Sequence, residues 1–284
     1  MNILREKIVL LTDSACDLPR EIIQKYGIKI LPLKVIYGEK AYSDREDIQP
    51  EEVYARMPEE IPTTSMPAPE EIKGTFEQIK EEGFTHVLAL HLSSSLSGTY
   101  QTVKMVAQEI NDLCIKVLDT KTLSIGTGWL VLEAARGIAS GLSWEKINEN
   151  IHKIQPKIKV YYVIETLEYL RRGGRIGRVA SMIGQFLHIK PIISVDEEGK
   201  YFTYAKAKGR KKSIEKLAEI VEETVQTKKI NLAVMHGGAR EEFEKLVERL
   251  SKLPNIQEFI CSDISPSLGV HTGPGLLGVS FYEV

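Results

Sequence analysis

Short apolar runs alternate with longer amphipathic stretches through the first half of the chain. Three such runs, each bounded by turn-forming or polar residues, predict buried strands at 7–11, 85–92 and 115–118. After them, apolar residues spaced three or four apart predict helices, of which the longest covers 123–140. Strands that alternate with helices at this spacing indicate a parallel sheet with helices packed on both faces.

The second half follows a different pattern after Pro156. Residues 192–195 and 201–205 predict a β-hairpin, and strands and helices then alternate to the end of the chain. A hairpin combined with such units indicates a mixed sheet.

The whole chain therefore has an α/β pattern, and its 284 residues are enough for two domains of common size. We predict an N-terminal three-layer α/β/α domain with a parallel sheet over 1–160. We predict a C-terminal two-layer α/β domain with a mixed sheet over 161–284, and we expect residues 61–76 to cross to it.

Four further segments are interpreted from their local pattern. Residues 37–47 are polar and predict a loop, and residues 265–275 are rich in glycine and proline and also predict a loop. Ser213 is expected to cap a helix that runs to Val225. Residues 179–189 are apolar nearly all round, which predicts a buried helix that is either plain core or the wall of a pocket for an apolar ligand.

A serine-rich run, Ser93-Ser94-Ser95-Leu96-Ser97-Gly98-Thr99-Tyr100, lies between a predicted strand and a predicted helix. It offers hydroxyls together with the unpaired N–H groups of a helix N-terminus, at the carboxyl end of a strand where open α/β sheets bind ligands. Serine is also common as an ordinary helix cap. Four serines and a glycine in six positions exceed what a cap needs, which favours an anion site.

Three prolines interrupt residues 61–69 and exclude a regular helix or a central strand there. The segment is therefore extended, and it carries the adjacent hydroxyl residues Thr63, Thr64 and Ser65. A rigid, extended and hydroxylated segment suits a ligand clamp, while a linker that crosses between domains has the same composition. Both interpretations are compatible with each other.

Composition and charge define the class of protein. The charged fraction is 27% and the net charge is −2, but residues 169–212 carry eleven Lys and Arg against three Asp and Glu. That basic stretch is either a solvated face or a docking surface for an anionic partner. The beginning of the chain lacks the apolar core of a signal peptide, and three widely spaced cysteines suit a reducing compartment. We expect a cytoplasmic protein.

Several kinds of chemistry find little support in the sequence. The phosphate-binding motifs G-x-x-x-x-G-K-[ST] and G-x-G-x-x-G are absent from the expected places, and the six histidines lack metal-ligand spacing. We therefore expect no metal and no cofactor.

Two other functions stay open at this point. A serine hydrolase would use Ser94, His271 and either Asp13 or Asp119, although the G-x-S-x-G elbow is missing. A nucleic-acid-binding protein would use the basic residues Arg171, Arg172, Arg175 and Arg178 and those of 208–212, although few aromatic residues lie among them.

Several motifs carry a resemblance to a known family. They are Thr64-Ser65-Met66-Pro67, the run from Leu92 to Tyr100, Gly173-Gly174-Arg175 and His271-Thr272-Gly273-Pro274-Gly275, together with Leu11-Thr12-Asp13-Ser14 and Asp119-Thr120. In this order, over nearly the whole chain, they resemble the signature blocks of the DegV family. Ala68 stands where many members have serine, which affects one peripheral hydroxyl.

The resemblance implies a bacterial fatty-acid-binding protein of two α/β domains. The ligand would lie between the domains, with its acyl chain in the second one. Members called FakB present the carboxyl group to a separate dihydroxyacetone-kinase-like subunit, which phosphorylates it for phospholipid synthesis. The binding protein itself is then a carrier and not an enzyme.

The resemblance also implies roles for particular residues. The carboxylate would be bound by hydroxyls, backbone N–H groups and an imidazole from Thr64, Ser65, Ser94, Ser97, Gly98, His271 and Thr272. We expect the acyl chain to lie against Met182, Ile183, Phe186, Leu187 and Ile189. The kinase would dock on Arg171, Arg172, Arg175 and Lys208. We expect a monomer.

Simple energetics agree with this division of roles. Burial of an acyl chain contributes about 0.8 kcal/mol per CH₂ group, whereas one charge-assisted hydrogen bond contributes roughly 1.5–3 kcal/mol. Affinity is therefore expected to come from the acyl chain, and orientation from Thr64, Ser94 and His271.

Overall fold

Alternating strands and helices build most of the chain, for which a computed structural model describes residues 6–182 and 189–284. The α-helices in these ranges are α1 (Arg20–Tyr26), α2 (Pro50–Arg56), α3 (Pro69–Glu81), α4 (Thr99–Ala107), α5 (Ile125–Ala139), α6 (Trp144–Ile154), α7 (Glu168–Arg172), α8 (Arg210–Val225), α9 (Arg240–Leu250) and α10 (Pro266–Thr272). The strands are β1 (Ile8–Asp13), β2 (Lys29–Leu31), β3 (Lys34–Tyr37), β4 (Lys40–Ser43), β5 (Thr63–Ser65), β6 (His86–His91), β7 (Cys114–Asp119), β8 (Lys159–Val163), β9 (Ile189–Val195), β10 (Tyr201–Lys208), β11 (Ile230–Gly237), β12 (Ile256–Asp263) and β13 (Leu276–Glu283).

The first sheet is parallel, with the strand order β2-β1-β6-β7. Side chains alternate between its faces along each strand. On one face Val9, Leu11 and Val87 pack against α3 and α4, and on the other face Leu10 and Leu88 belong to the core that includes α5. The predicted parallel sheet with helices on both faces is confirmed.

The second sheet is mixed, with the strand order β10-β9-β8-β13-β11-β12. β11 and β12 are parallel, while β9 and β10 form an antiparallel hairpin. Helices α8 and α9 pack on one face of this sheet, around Leu217, Leu232 and Phe243. The mixed sheet and its hairpin agree with the sequence-based prediction.

Helix α5 lies between the two sheets. Trp129 packs with its ring centroid 5.3 Å from that of Tyr282 and donates its indole N–H to the Ser280 carbonyl oxygen at 3.4 Å. The same helix contacts β1 and β6 of the first sheet. Because both sheets pack on it, α5 is buried around most of its circumference. A domain boundary at residue 160 stays a prediction.

A small antiparallel sheet, with the order β4-β3-β5, stands beside these layers. It contains the extended hydroxyl segment as β5, which pairs with β3 and contacts α10 from the second half of the chain. The extended conformation predicted for this segment is confirmed.

The structure corrects four local predictions. Residues 37–47 contain β4, because residues 40–43 pair with β3, and residues 265–275 contain α10, which Pro266 begins. Ser213 lies inside α8, which starts at Arg210, and its hydroxyl donates to the Arg210 carbonyl oxygen. Ile189 begins β9 instead of ending a helix, and residues 177–182 form a 3₁₀ helix. Residues 183–188 lie outside the described ranges.

Asp17 connects the two halves of the chain. Its carboxylate accepts hydrogen bonds from Ser124, from the Arg45 guanidinium at 3.2 Å and from the backbone N–H of Ser265 at 2.9 Å. Burial raises the pKa of this carboxyl group, and the Arg45 cation opposes that shift. The bond to Ser265 fixes the residue before α10, so this network positions α10 relative to the first sheet.

Within the described ranges, none of the helices is long and apolar enough to cross a membrane.

Candidate functional site

A cavity of about 300 Å³ lies where β5, the serine-rich turn and α10 meet. Its polar lining consists of Thr64, Ser65, Ser97, Arg175, Ser267 and His271. Its apolar lining consists of Leu33, Met66, Leu92, Leu96, Tyr201 and Leu268, and Gly98 completes it. The site thus lies between strand ends of the first sheet and elements of the second half of the chain. Both polar and apolar side chains line it.

The polar part is organised around a contact between two distant residues. Thr64 Oγ1 lies 2.8 Å from His271 Nε2, across 207 residues of sequence. Desolvation lowers the pKa of His271 to about 4, and the positive charge of Arg175 adds to the shift. The imidazole is therefore neutral at pH 7, with one N–H to donate.

Gly173 explains how the imidazole fits against α7. A β-carbon at Gly173 would lie 2.1 Å from His271 Nδ1, which excludes any larger residue. This close approach leaves Nδ1 buried and without a hydrogen-bond partner among the described residues. The first glycine of the Gly173-Gly174-Arg175 motif is thus required by the packing of α7 on His271.

Arg175 lies at the cavity, although sequence analysis assigned it to a docking surface. Its Nε donates to the Leu96 carbonyl oxygen at 3.1 Å, and its Nη1 donates to the Gly173 carbonyl oxygen at 2.6 Å. These bonds hold the guanidinium between the serine-rich turn and α7. The cavity therefore receives a fixed positive charge beside a neutral histidine.

The serine-rich turn connects β6 to α4, as predicted. Ser97 and Gly98 line the cavity just before α4, where backbone N–H groups lack intrahelical partners. Met66 covers Gly98, since a β-carbon there would lie 3.0 Å from its Sδ. Thr64, Ser65, Ser97, Gly98 and His271 are thus brought together around one cavity.

Two predicted carboxylate ligands are not among the residues that line the cavity. The backbone N–H of Ser94 donates to Asp119 Oδ1 at 3.2 Å, which fixes the Ser94 backbone to the end of β7. Thr272 is buried in α10, where its hydroxyl donates to the Leu268 carbonyl oxygen at 3.1 Å. Thr272 directly follows His271 in α10, and adjacent residues of a helix point in different directions. His271 therefore lines the cavity and Thr272 does not.

The predicted acyl-chain residues divide into two groups. Met182 is buried in the main core, and Ile189 is half-buried on β9. Ile183, Phe186 and Leu187 lie outside the described residues. The apolar lining that the structure does describe comes largely from Leu33, Leu92, Leu96 and Leu268, which sequence analysis did not single out. Leu92 and Leu96 flank the serine run, so their position next to a predicted ligand site was the available signal.

The other three residues predicted to dock the kinase lie on the surface. Arg171 and Arg172 on α7 are each more than half exposed, and both form ion pairs with Glu168 at 2.7 Å. These two guanidinium groups lower the pKa of Glu168 to about 2. Lys208 is exposed at the end of β10. Arg171 and Arg172 are close to the site, because α7 packs against α10.

The two aspartates considered for a hydrolase bind backbone and a different histidine. Asp13 Oδ2 accepts the Leu92 N–H at 3.0 Å and lies 2.9 Å from His91 Nδ1. Asp119 Oδ1 accepts the N–H groups of Ser94 and Lys121. Both carboxylates thus bind backbone N–H groups just after strands of the first sheet. Neither is bonded to His271, which contacts Thr64.

Comparisons with known proteins agree on one family. Residues 7–284 match the model of the DegV family, described as an uncharacterised protein family. A DegV domain-containing protein of Clostridium acetobutylicum is 44% identical, over 98% of this chain and 99% of that protein. A DegV family structure from Thermus thermophilus, described for its fatty acid binding, has a TM-score of 0.91 at 31% identity and covers 98% and 100% of the two chains. A stearic-acid-binding protein from Eubacterium ventriosum has a TM-score of 0.86 at 27% identity, with 98% of each chain covered.

The lowered pKa of His271 predicts its titration. Because the folded value of about 4 lies below the usual 6.5, the unfolded chain binds more protons between these values. Stability contributed by the neutral ring is therefore complete above pH 6.5 and is lost as the pH falls towards 4. Long-range ¹⁵N NMR of the ligand-free protein should show a neutral His271 ring at pH 5.5. A His271 ring that is already protonated at pH 5.5 would contradict this assignment.

Proposed function

The chain belongs to the DegV family, and from this premise we propose that it binds a long-chain fatty acid in the cavity between β5, the serine-rich turn and α10. The observation that carries the proposal is the Thr64–His271 pair, which supplies a hydroxyl and an imidazole to a cavity that also has apolar lining. The fatty-acid binding described for the Thermus thermophilus and Eubacterium ventriosum relatives supports it.

The carboxylate would bind at the polar end. Ser97 can donate a hydrogen bond, and the Thr64 hydroxyl and the single N–H of His271 can each donate one where the carboxylate replaces their mutual contact. The Arg175 guanidinium supplies the positive charge. Ser65 and the N–H of Gly98 are next to them. Arg175 thereby changes its role from docking residue to carboxylate-binding residue, while Ser94 and Thr272 would act through the shape of the turn and of α10.

The acyl chain would lie along the leucine-lined part of the cavity. Each methylene group removed from water contributes about 0.8 kcal/mol, so a long chain supplies most of the binding free energy. Met182 and Ile189 stay proposed members of the wall farther from the carboxylate, together with Ile183, Phe186 and Leu187.

We further propose that the protein is a carrier that presents the carboxylate to a separate fatty acid kinase. The kinase would transfer the γ-phosphoryl group of ATP to a carboxylate oxygen, which releases ADP and leaves an acyl phosphate on the carrier. Docking would use Arg171, Arg172 and Lys208. Arg171 and Arg172 are exposed on α7. Gly173, which follows this helix, packs against His271.

A serine hydrolase is the alternative function. It would require Ser94 as nucleophile with His271 as base, but the hydrogen bond of His271 goes to Thr64. Hydrolysis of a p-nitrophenyl acyl ester by the wild-type protein that is abolished by Ser94→Ala would favour the hydrolase over the carrier.

Freshly purified protein is expected to contain its ligand. Denaturing extraction into organic solvent followed by mass spectrometry should yield about one long-chain fatty acid per chain, because burial of the chain makes release slow. An empty extract, combined with no thermal shift on addition of palmitate or oleate, would contradict fatty-acid binding.

Removal of the imidazole should weaken the carboxylate contact. His271→Ala is expected to reduce oleate affinity by about 10- to 100-fold, the value of one hydrogen bond to a charged group. Titration calorimetry of the delipidated protein measures it, and His152→Ala, on the exposed face of α6, is the matched control. Equal affinity in wild type and His271→Ala would show that the carboxylate lies elsewhere.

The docking proposal predicts that a variant can lose phosphoryl transfer and still bind the fatty acid. The double variant Arg171→Ala and Arg172→Ala should retain oleate affinity within about twofold, because both guanidinium groups are exposed. With the partner kinase and ATP, its rate of acyl phosphate formation should fall about tenfold or more. Lys252→Ala, an exposed residue after α9, is the control. An unchanged rate would remove α7 from the docking surface.

A further inference from the structure

Two serines of the serine-rich turn bind another part of the chain instead of facing the cavity. Ser93 is fully buried, and its hydroxyl donates to the Gly199 carbonyl oxygen at 2.9 Å. The Ser95 hydroxyl donates to the Glu198 carbonyl oxygen at 2.7 Å. Both acceptors lie in the tip of the β9–β10 hairpin, more than 100 residues farther along the chain.

The hairpin tip is built to present these two carbonyl groups. Asp196 Oδ1 accepts the N–H groups of Glu198 and Lys200, each at 3.0 Å, and the Gly199 N–H donates to the Asp196 carbonyl oxygen at 2.9 Å. Arg178 pairs with Asp196 Oδ2 at 3.0 Å on the outer side. With its N–H groups bonded inside the tip, the hairpin directs its free carbonyl oxygens to the serines.

The fit between hairpin and turn requires glycine at one position. Gly199 has a φ of +75°, and a β-carbon there would lie 2.0 Å from Ser93 Oγ and 3.1 Å from the Lys121 Cα. A larger residue would therefore push the hairpin off the turn. The close approach is specific to this contact, because Gly141 has a similar φ of +71° with open space around it.

The contact connects two walls of the cavity. On one side, the turn continues from Ser95 to Ser97 and Gly98, which line the polar end. On the other side, β10 begins two residues after Gly199 with Tyr201, which also lines the cavity. Ser95 N–H donates in addition to Ser93 Oγ at 3.2 Å, so the two serines act as one unit.

We propose that Ser93, Ser95 and Gly199 are positioning residues for carboxylate binding. They fix the turn so that Ser97 and the Gly98 N–H face the carboxylate, although none of the three lines the cavity. This inference rests on the proposed fatty-acid site and explains why the turn has more serines than one anion contact needs.

The central test compares two ligands that share an acyl chain. Displacement of cis-parinaric acid from delipidated protein by oleate and by oleyl alcohol measures both affinities. Ser95→Ala should weaken oleate about 5- to 10-fold and oleyl alcohol less than twofold, because the turn offers the carboxylate both Ser97 and the Gly98 N–H but contributes only Leu96 to the apolar lining. Ser95→Thr retains the hydroxyl and should restore the wild-type oleate affinity.

Glycine variants provide a second, matched comparison. Gly199→Ala and Gly141→Ala introduce the same methyl group at nearly the same φ, but only the first meets the turn. Gly199→Ala should lower oleate affinity more than Ser95→Ala does, and Gly141→Ala should leave it within twofold. If Gly199→Ala does not fold, the exposed Ser95 variants still decide the question.

Amide hydrogen exchange tests the contact without any ligand. Peptides that cover residues 93–99 should exchange faster in Ser95→Ala than in wild type or Ser95→Thr. Absence of oleate binding by the wild type would refute the proposed function. Amide hydrogen exchange needs no ligand, so it would still test the contact between the hairpin and the turn. Unchanged exchange at 93–99, or an equal loss of affinity for oleate and oleyl alcohol, would overturn the positioning role.

Discussion

Burial of helix α5 between two sheets is the constraint on which the rest of the structure depends. Eleven of its fifteen residues are buried, so neither sheet alone can remove its apolar surface from water. The first sheet covers one side and β13 of the second sheet covers the side of Trp129. Because both sheets pack on this helix, the two halves of the chain meet beside it. Leu33 after β2, Leu92 after β6 and Leu268 of α10 line one cavity at that junction.

The cavity is lined by both charged or polar groups and apolar side chains. Arg175 is held by two backbone carbonyl groups, and Thr64 and His271 are held by each other. Polar groups with fixed partners lose little conformational freedom when a ligand binds, which favours orientation. The leucines beside them add no direction but contribute apolar area, against which the proposed acyl chain would lie. This arrangement suits a carrier, which must hold a chain firmly and leave its carboxyl end near the surface.

The serine-rich turn shows that one motif can serve two physical purposes. Ser97 faces the cavity, whereas Ser93 and Ser95 bind the hairpin tip and the Ser94 backbone binds Asp119. Adjacent residues of a tight turn point in different directions, so hydroxyls that are consecutive in sequence reach different partners. Asp13 at the end of β1 and Asp119 at the end of β7 also fix this turn, because they accept the backbone N–H groups of Leu92 and Ser94.

The sequence by itself determined the α/β class, the two kinds of sheet, the strand–turn–helix around the serines and the extended segment at Thr64, because these depend on local periodicity and on proline and glycine. Only the tertiary structure decided that Arg175 lines the cavity, that the Thr272 hydroxyl bonds within α10 instead of lining it, and that α10 forms within a glycine- and proline-rich segment. The third sheet was also missed, since β4 is polar and is stabilised by pairing with β3. These features depend on contacts between residues far apart in the chain, such as Thr64 with His271, whose partners no local pattern identifies.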